Sequence, residues 1–315
     1  MSISFSLGVP QGFTGELAGR VDPAETFDAL VAVAQAAERG GYHSVYVADH
    51  LVTVPPSQNM IFECWTTVAA LLRETSRIRV GQLVTCNDYR HPGLQAKMAS
   101  TVDALGKGRF TFGIGAGWYE PDYFSHGIEF QDGPTRLRKL EEAVQIIKSL
   151  WTEEETSFEG KHYQLAGAIN QPKGVQSPHI PMMIAGGGEK MTLKLVAQYG
   201  DLCNLLGDPA EIARKLQILE AHCEAVGRDY DDIQRTVLMF ASLGATEEEA
   251  RSRLPQWIPA IFPGELAEYG LVGTVDTVRE RIAAYEAVGV DEFIISFPDM
   301  TDLRSVDMFA EAFIR

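Results

Sequence analysis

The sequence predicts a (β/α)₈ barrel of the TIM-barrel class, and three observations predict it. Short apolar runs rich in Val, Ile and Phe alternate with amphipathic stretches of helical period, the pattern of parallel strands joined by crossover helices. Eight such units follow one another along the chain. No Gly-x-Gly-x-x-Gly follows the first strand, which favours the closed barrel over an open nucleotide-binding sheet, the alternative arrangement.

The strands are predicted at 3–9, 44–48, 78–85, 109–114, 181–185, 202–206, 236–243 and 292–297. Each is a short run bounded by polar or turn residues, too short for a helix. The clearest helices are predicted at 24–39, 134–150, 189–199 and 209–225, where apolar residues recur at helical spacing. Two segments exceed the simple repeat. Residues 157–178 contain Phe158-Glu-Gly-Lys-His-Tyr-Gln-Leu, which reads as a hairpin, and residues 255–274 are rich in Pro, Gly and aromatics. Insertions of this kind are expected at the C-terminal face of a barrel, over its active site. With no linker or low-complexity tract, the 315 residues are expected to form one domain, 1–315.

Composition narrows the functions. Hydrophobic residues make up 45% of the chain, enough for a large core. The 27 Lys and Arg stand against 43 Asp and Glu, a net charge of −16 that would repel nucleic acid and anionic lipid. The N-terminus has no basic stretch before its apolar residues, and no run approaches the roughly 18 apolar residues of a membrane span. A cytoplasmic protein with a small-molecule partner is expected, without nucleic acid or membrane. Cys64, Cys86, Cys203 and Cys223 are widely spaced, which fits reduced thiols. Cys86 sits near a strand end, where it reads as a buried filler or a catalytic thiol. The histidines form no pair of ligand spacing, so no metal is expected.

In a barrel the reacting groups stand at the carboxyl ends of the strands. Strand two ends Ala48-Asp49-His50. A histidine there can exchange a proton near neutral pH, and an aspartate can fix its tautomer; the bland alternative is a helix-capping Asp beside a packed His. Strand three leads into Val84-Thr85-Cys86-Asn87-Asp88-Tyr89-Arg90-His91-Pro92, a polar connection in which Val84, Thr85 and Asn87 can meet a heterocycle's edge. Arg90 and His91 can instead serve to fix the next helix.

Strand four runs into Gly113-Ile114-Gly115-Ala116-Gly117-Trp118-Tyr119-Glu120. Its glycines admit a planar ligand or another backbone, and Trp118 and Tyr119 offer a wall. Strand five ends Ala185-Gly186-Gly187-Gly188-Glu189-Lys190 directly before a helical pattern. Converging backbone N–H groups, a helix start and a lysine suit a phosphate, whereas a bare turn would not need three glycines.

With these segments in hand, the sequence resembles the luciferase-like superfamily of flavin and deazaflavin oxidoreductases along nearly its whole length. The resemblance rests on Val47-Ala-Asp-His50, Tyr89-Arg-His-Pro92, the stretch from Gly113 to Tyr123, Phe158-Glu-Gly-Lys-His-Tyr163, Ile184-Ala-Gly-Gly-Gly-Glu-Lys190 and Val272-Gly-Thr-Val-Asp-Thr-Val278. The Gly-Trp-Tyr-Glu and Gly-Gly-Gly-Glu-Lys pair is similar in particular to actinobacterial deazaflavin-dependent oxidoreductases. The resemblance implies a flavin-like ring across the strand ends, a non-proline cis peptide near Leu83-Val84 behind it, and the phosphate at Gly186 to Gly188. One departure stands out: where sugar-phosphate dehydrogenase members carry a glutamate, this chain has Trp118.

The expected activity is hydride transfer between the deazaflavin coenzyme F420 and a small organic substrate. His50 is the expected proton donor, Asp49 its orienting partner, and Glu120 a second acid. The ring and phosphate are expected to meet Val84, Thr85, Asn87, Gly115, Ala116, Gly117, Trp118, Tyr119, Ala185, Gly186, Gly187, Gly188, Glu189 and Lys190. Two alternatives stand beside this reading: a monooxygenase using reduced FMN and oxygen, and a cofactor-binding protein without turnover. Relatives are often dimers, so a homodimer is an expected assembly.

Overall fold

Three long helices begin at an Asp followed at once or one residue later by Pro. Asp22 accepts the N–H groups of Ala24 and Glu25 ahead of helix Pro23–Gly40. Asp132 and Asp208 do the same for Thr135 and Glu211 at helices Gly133–Thr152 and Pro209–Val226. The aspartate satisfies an orphan N–H, and the proline ring has the helical φ already set. These helices lie within a residue or two of their predicted bounds. The structure, a computed structural model, describes residues 3–299 and 301–315.

Eight strands alternate with the helices: β1 (Ser4–Gly8), β2 (Ser44–Val47), β3 (Arg79–Gln82), β4 (Phe110–Gly115), β5 (Met182–Ala185), β6 (Leu202–Leu205), β7 (Gln234–Leu243) and β8 (Glu292–Ser296). Each pairs in parallel with its neighbours in chain order. The ring closes where β8 returns to β1, with Phe5 opposite Phe293. The chain is therefore a closed (β/α)₈ barrel, as the sequence predicts.

Alternation along each strand sorts its residues into two layers. Outward-facing Val, Ile, Leu and Phe join the apolar faces of the helices in the larger core. Inside the barrel a smaller cluster of Tyr46, Met183, Leu202 and Ile294 forms the floor of the mouth. Gly81 makes room there, because a Cβ on it would lie 2.7 Å from the Tyr46 ring.

Two elements differ from expectation. The third strand stops at Gln82, and Thr85–Cys86 pairs separately with β4. Between them lies the cis Leu83–Val84 peptide that the family resemblance implies. The helix after β5 spans Thr192–Tyr199, so Glu189 and Lys190 belong to a turn ahead of it.

The insertions also divide. The hairpin forms, with Thr156–Glu159 antiparallel to Gln164–Ala168. It packs on helix Gly133–Thr152, where Glu142 accepts the N–H groups of Lys161, His162 and Tyr163, and Tyr163 reaches Asn87 and His91 after β3, but it lines neither lobe of the barrel mouth. The later insertion, in contrast, brings Trp257 to Pro263 over the strand ends. No helix among the described residues is long and apolar enough to cross a membrane.

Candidate active site

Counting two residues at a time up the strands brings Gly8, Ala48, Leu83, Gly115, Ala185, Asn204, Leu238 and Ser296 to the rim. Above them the mouth holds two adjoining lobes, of about 320 and 460 Å³, which share His50, Leu83, Trp118, Leu206 and Leu238. This places the groove at the strands' carboxyl ends, where barrel enzymes work.

His50 stands on the shared wall. Its ring stacks on Phe13, with centroids 3.6 Å apart and planes 8° apart, and Trp118 meets it edge-on. Its Nδ1 lies 2.6 Å from Oδ2 of Asp122, which leaves Nε2 as the nitrogen free to serve the cavity. Asp122 is buried on helix Glu120–Ser125. It also accepts N–H bonds from Leu51 and Val52 and a hydroxyl from Tyr89. Burial alone would raise the Asp122 pKa, but the bond to His50, the imidazole charge and the two backbone donors outweigh it and hold the carboxyl below its ordinary value. The carboxylate therefore stays charged and fixes the imidazole, as carboxylate–histidine pairs do.

Asp49 does not orient His50. It meets the guanidinium of Arg90 in a two-pronged contact of 2.6 and 3.1 Å and accepts from Thr85 Oγ1 and the Cys86 N–H. Arg90 also reaches Glu63 at 2.7 Å. Burial tends to lower the Arg90 pKa, yet Asp49 and Glu63 leave it raised, so the guanidinium is permanently charged. The reason for the exchange of partners is local. Consecutive residues leave a strand end in opposite directions, so Asp49 turns to the β3 exit while His50 turns to the segment after β4.

The second lobe collects most of the expected ring-binding positions: Val84, Thr85, Gly115, Ala116, Gly117, Trp118, Ala185, Gly186 and Gly187 all line it. A Cβ on Gly113 would lie 2.0 Å from the Gln82 carbonyl, so the close approach of β4 to the end of β3 requires glycine there. At Gly186 the backbone has φ of +120°, a conformation that side chains resist.

Five expected positions fall outside. Asn87 is buried and donates to the Tyr163 hydroxyl, and Tyr119 donates to the Thr53 carbonyl. Gly188 faces Thr192, Glu189 pairs with Arg214, and Lys190 is exposed on the turn. Glu120 is exposed at the start of its helix and lines neither lobe. The cation beside the glycine loop is Lys215, from helix Pro209–Val226, whose Nζ would lie 2.5 Å from a Cβ on Gly187. Thr192 and Asn204 complete that end of the lobe.

Sequence reading missed Asp122, Phe13 and Lys215. Asp122 lies inside the stretch that carries the family resemblance, but a partner 72 residues from His50 leaves no local pattern. Cys86 lines the lobe as filler: burial pushes its thiol up to about 12, despite the nearby Tyr123 hydroxyl, so it is no ready nucleophile.

A groove at the strand ends with an imidazole–carboxylate pair on its wall is the arrangement expected of a (β/α)₈ enzyme. Residues 7–270 match the family model described as luciferase-like monooxygenase, and the chain belongs to that family. It is 24% identical over 94% of its length to the FMNH(2)-dependent dimethylsulfone monooxygenase of Pseudomonas putida, covering 90% of that protein. It is 30% identical over 71% of its length to the F420-dependent hydroxymycolic acid dehydrogenase of Mycobacterium tuberculosis, covering 62% of that protein. The structure of an F420-dependent secondary alcohol dehydrogenase with an F420-acetone adduct matches with a TM-score of 0.83, at 19% identity, over 99% of this chain and 98% of that one. The chain is an oxidoreductase of this family, whose members include F420- and FMN-dependent enzymes.

Proposed function

We propose that the chain is an F420-dependent oxidoreductase that moves a hydride between the deazaflavin, held in the second lobe, and a small organic molecule in the first. The observation that carries this reading is the His50–Asp122 pair on the wall common to both lobes. The residues fit a flavin-like group: a lobe bordered by Leu83 and Val84, and by Gly115 on β4, reaches the Gly186–Gly187 loop, where Lys215, Thr192 and Asn204 also line it. When bound in reduced form, the deazaflavin supplies the hydride. His50 Nε2 then gives a proton to the substrate atom that gains negative charge, and Asp122 stabilises the imidazole in the orientation this needs. Phe13, stacked on it, and Trp118, edge-on to it, hold the imidazole ring. Asp49 and Arg90 brace the polar rim of the second lobe rather than exchange protons. Lys215 holds the anionic end.

A specific observation favours a second reading, the FMN-dependent monooxygenase. Beyond Lys215 the groove continues past Asp208, Glu211, Glu265 and Glu268, an acidic path that suits a short phosphate tail better than an oligoglutamate one. Titrating the apo-protein with F420 and with FMN, followed by fluorescence, decides between them. Tighter binding of F420 is expected, with Lys215→Ala weakening it about tenfold and Lys190→Ala leaving it unchanged. Tighter binding of FMN overturns the deazaflavin reading.

A further inference from the structure

The first lobe differs from the second in what it lacks. Among the described residues its lining contains no lysine or arginine, and its large apolar side chains are Phe13, Tyr46, Trp118, Trp257, Ile261 and Phe262. The carboxylate in that lining, Glu16, is already engaged: its oxygens accept the N–H groups of Gly12 and Thr14 and the Thr14 hydroxyl, at 2.8–2.9 Å. The polar atoms facing the lobe are otherwise uncharged hydroxyls and amides, apart from the His50 ring. At about 320 Å³ it lies at the small end of the roughly 300–1,000 Å³ typical of small-molecule sites.

Resting on the assignment of the ring to the second lobe, we propose that the first lobe takes an uncharged, largely apolar carbonyl compound or the matching alcohol, and excludes phosphorylated and carboxylated substrates. A carboxylate or phosphate placed there would lose its water, face Glu16 and find no fixed cation, so its desolvation would go uncompensated. An aromatic or alicyclic body fills the space between the tryptophans, where edge and face contacts add to area burial. Its oxygen is held from two sides, by His50 Nε2 and by the Ser296 hydroxyl at the end of β8. In the reducing direction the carbonyl carbon gains the hydride and the oxygen gains the His50 proton. The C=O π bond becomes C–H and O–H, reduced deazaflavin is oxidised by two electrons, and solvent reprotonates the imidazole.

Three probes of nearly one shape test this: benzylacetone, hydrocinnamate and the ammonium form of the matching amine. Each is titrated into the full chain, with and without F420, following tryptophan fluorescence; Trp257 lines the first lobe alone, and Trp118 the wall it shares with the second. Saturable binding of benzylacetone is expected, at least about tenfold tighter than that of hydrocinnamate, which finds no fixed cation, and tighter than that of the ammonium, because the oxygens of Glu16 are already taken up by Gly12 and Thr14. Ala48→Phe fills the lobe from its floor and Ala260→Trp from its exposed rim, and both should abolish ketone binding. F420 binding, followed by the deazaflavin's own fluorescence, should be unchanged in both. If Ala48→Phe fails to fold, Ala260→Trp, at an exposed position on the short helix Ile258–Ile261, carries the test. Equal or tighter binding of either ion, no saturable ketone binding, or ketone binding untouched by a folded lobe-filling variant overturns the proposal. Loss of the F420 reading alone, with the ketone preference intact, leaves the substrate class standing.

Discussion

Asp49 and Asp122 are both buried carboxylates at the barrel mouth, and the two regions they organise behave in opposite ways. Around Asp49 the partner is a fixed cation: Arg90 bridges it to Glu63, and Thr85 links it to the Trp65 indole, which donates to the same hydroxyl at 3.0 Å. Around Asp122 the partner is an imidazole, a group whose charge changes near neutral pH. The difference teaches that burial and charge do not by themselves mark a catalytic carboxylate. On the proposed mechanism, what sets Asp122 apart as a positioning carboxylate is a partner, His50, able to lose or gain a proton while lining the cavity.

The sharpest way to break the comparison is Arg90→Met. It strands Asp49 with no cation in a buried site, and a loss of about 3–5 kcal/mol in stability is expected by chemical denaturation. Equal stability to wild type would mean that Asp49 is solvated and the region is not a closed ion network. Next comes His50→Asn, expected to lower turnover by about 10²-fold or more while F420 affinity stays within a small factor, since a general acid commonly contributes that much. Unchanged turnover removes the proton-donor assignment.

Asp122→Asn should cost about 1–3 kcal/mol of stability, because Leu51 and Val52 lose a charged acceptor. It should also lower turnover by about tenfold as the imidazole loses its orienting partner. It carries a pH signature as well. The Asp122 pKa is depressed in the folded protein, so its stabilisation is complete above the ordinary value of 3.8 and is lost as pH falls through the folded value. The Asn variant should therefore be less sensitive to acid than wild type over that range, measured by acid unfolding. The smallest effect is expected from Tyr89→Phe, which removes a single 2.9 Å hydroxyl contact to Asp122 and should cost about 0.5–1.5 kcal/mol with little change in turnover.

The barrel was legible because parallel buried strands and their capped helices leave local marks. Asp22-Pro23 and Asp208-Pro209 announce helix starts, and runs such as Phe293-Ile294-Ile295 announce strands. The rim glycines were legible for the same reason, since they lie on the strands themselves. Side-chain pairing was not. Asp49 next to His50 reads as a dyad in the sequence, but the strand exit sends the two apart, and each finds its partner on another element. Lys190 next to three glycines reads as the phosphate cation, whereas Lys215 reaches the loop from a helix one strand further on. Tertiary contacts of this kind depend on how helices sit against strand ends, which no spacing records.

The two lobes are built from different parts of the chain. The second is made mostly of strand ends, which the barrel's closure holds in place. The first is walled by the segment after β1 that carries Gln11 to Glu16, and by Trp257 to Phe262 from the later insertion. Neither loop carries a hydrogen bond of the ladder that closes the ring. Such an arrangement separates two kinds of inheritance. On the proposed division of roles, changes in those loops that spare Phe13, which stacks on His50, exchange one substrate for another while the strand-end lobe stays as it is, which makes the barrel a chassis on which new selectivity is grafted through short stretches of chain.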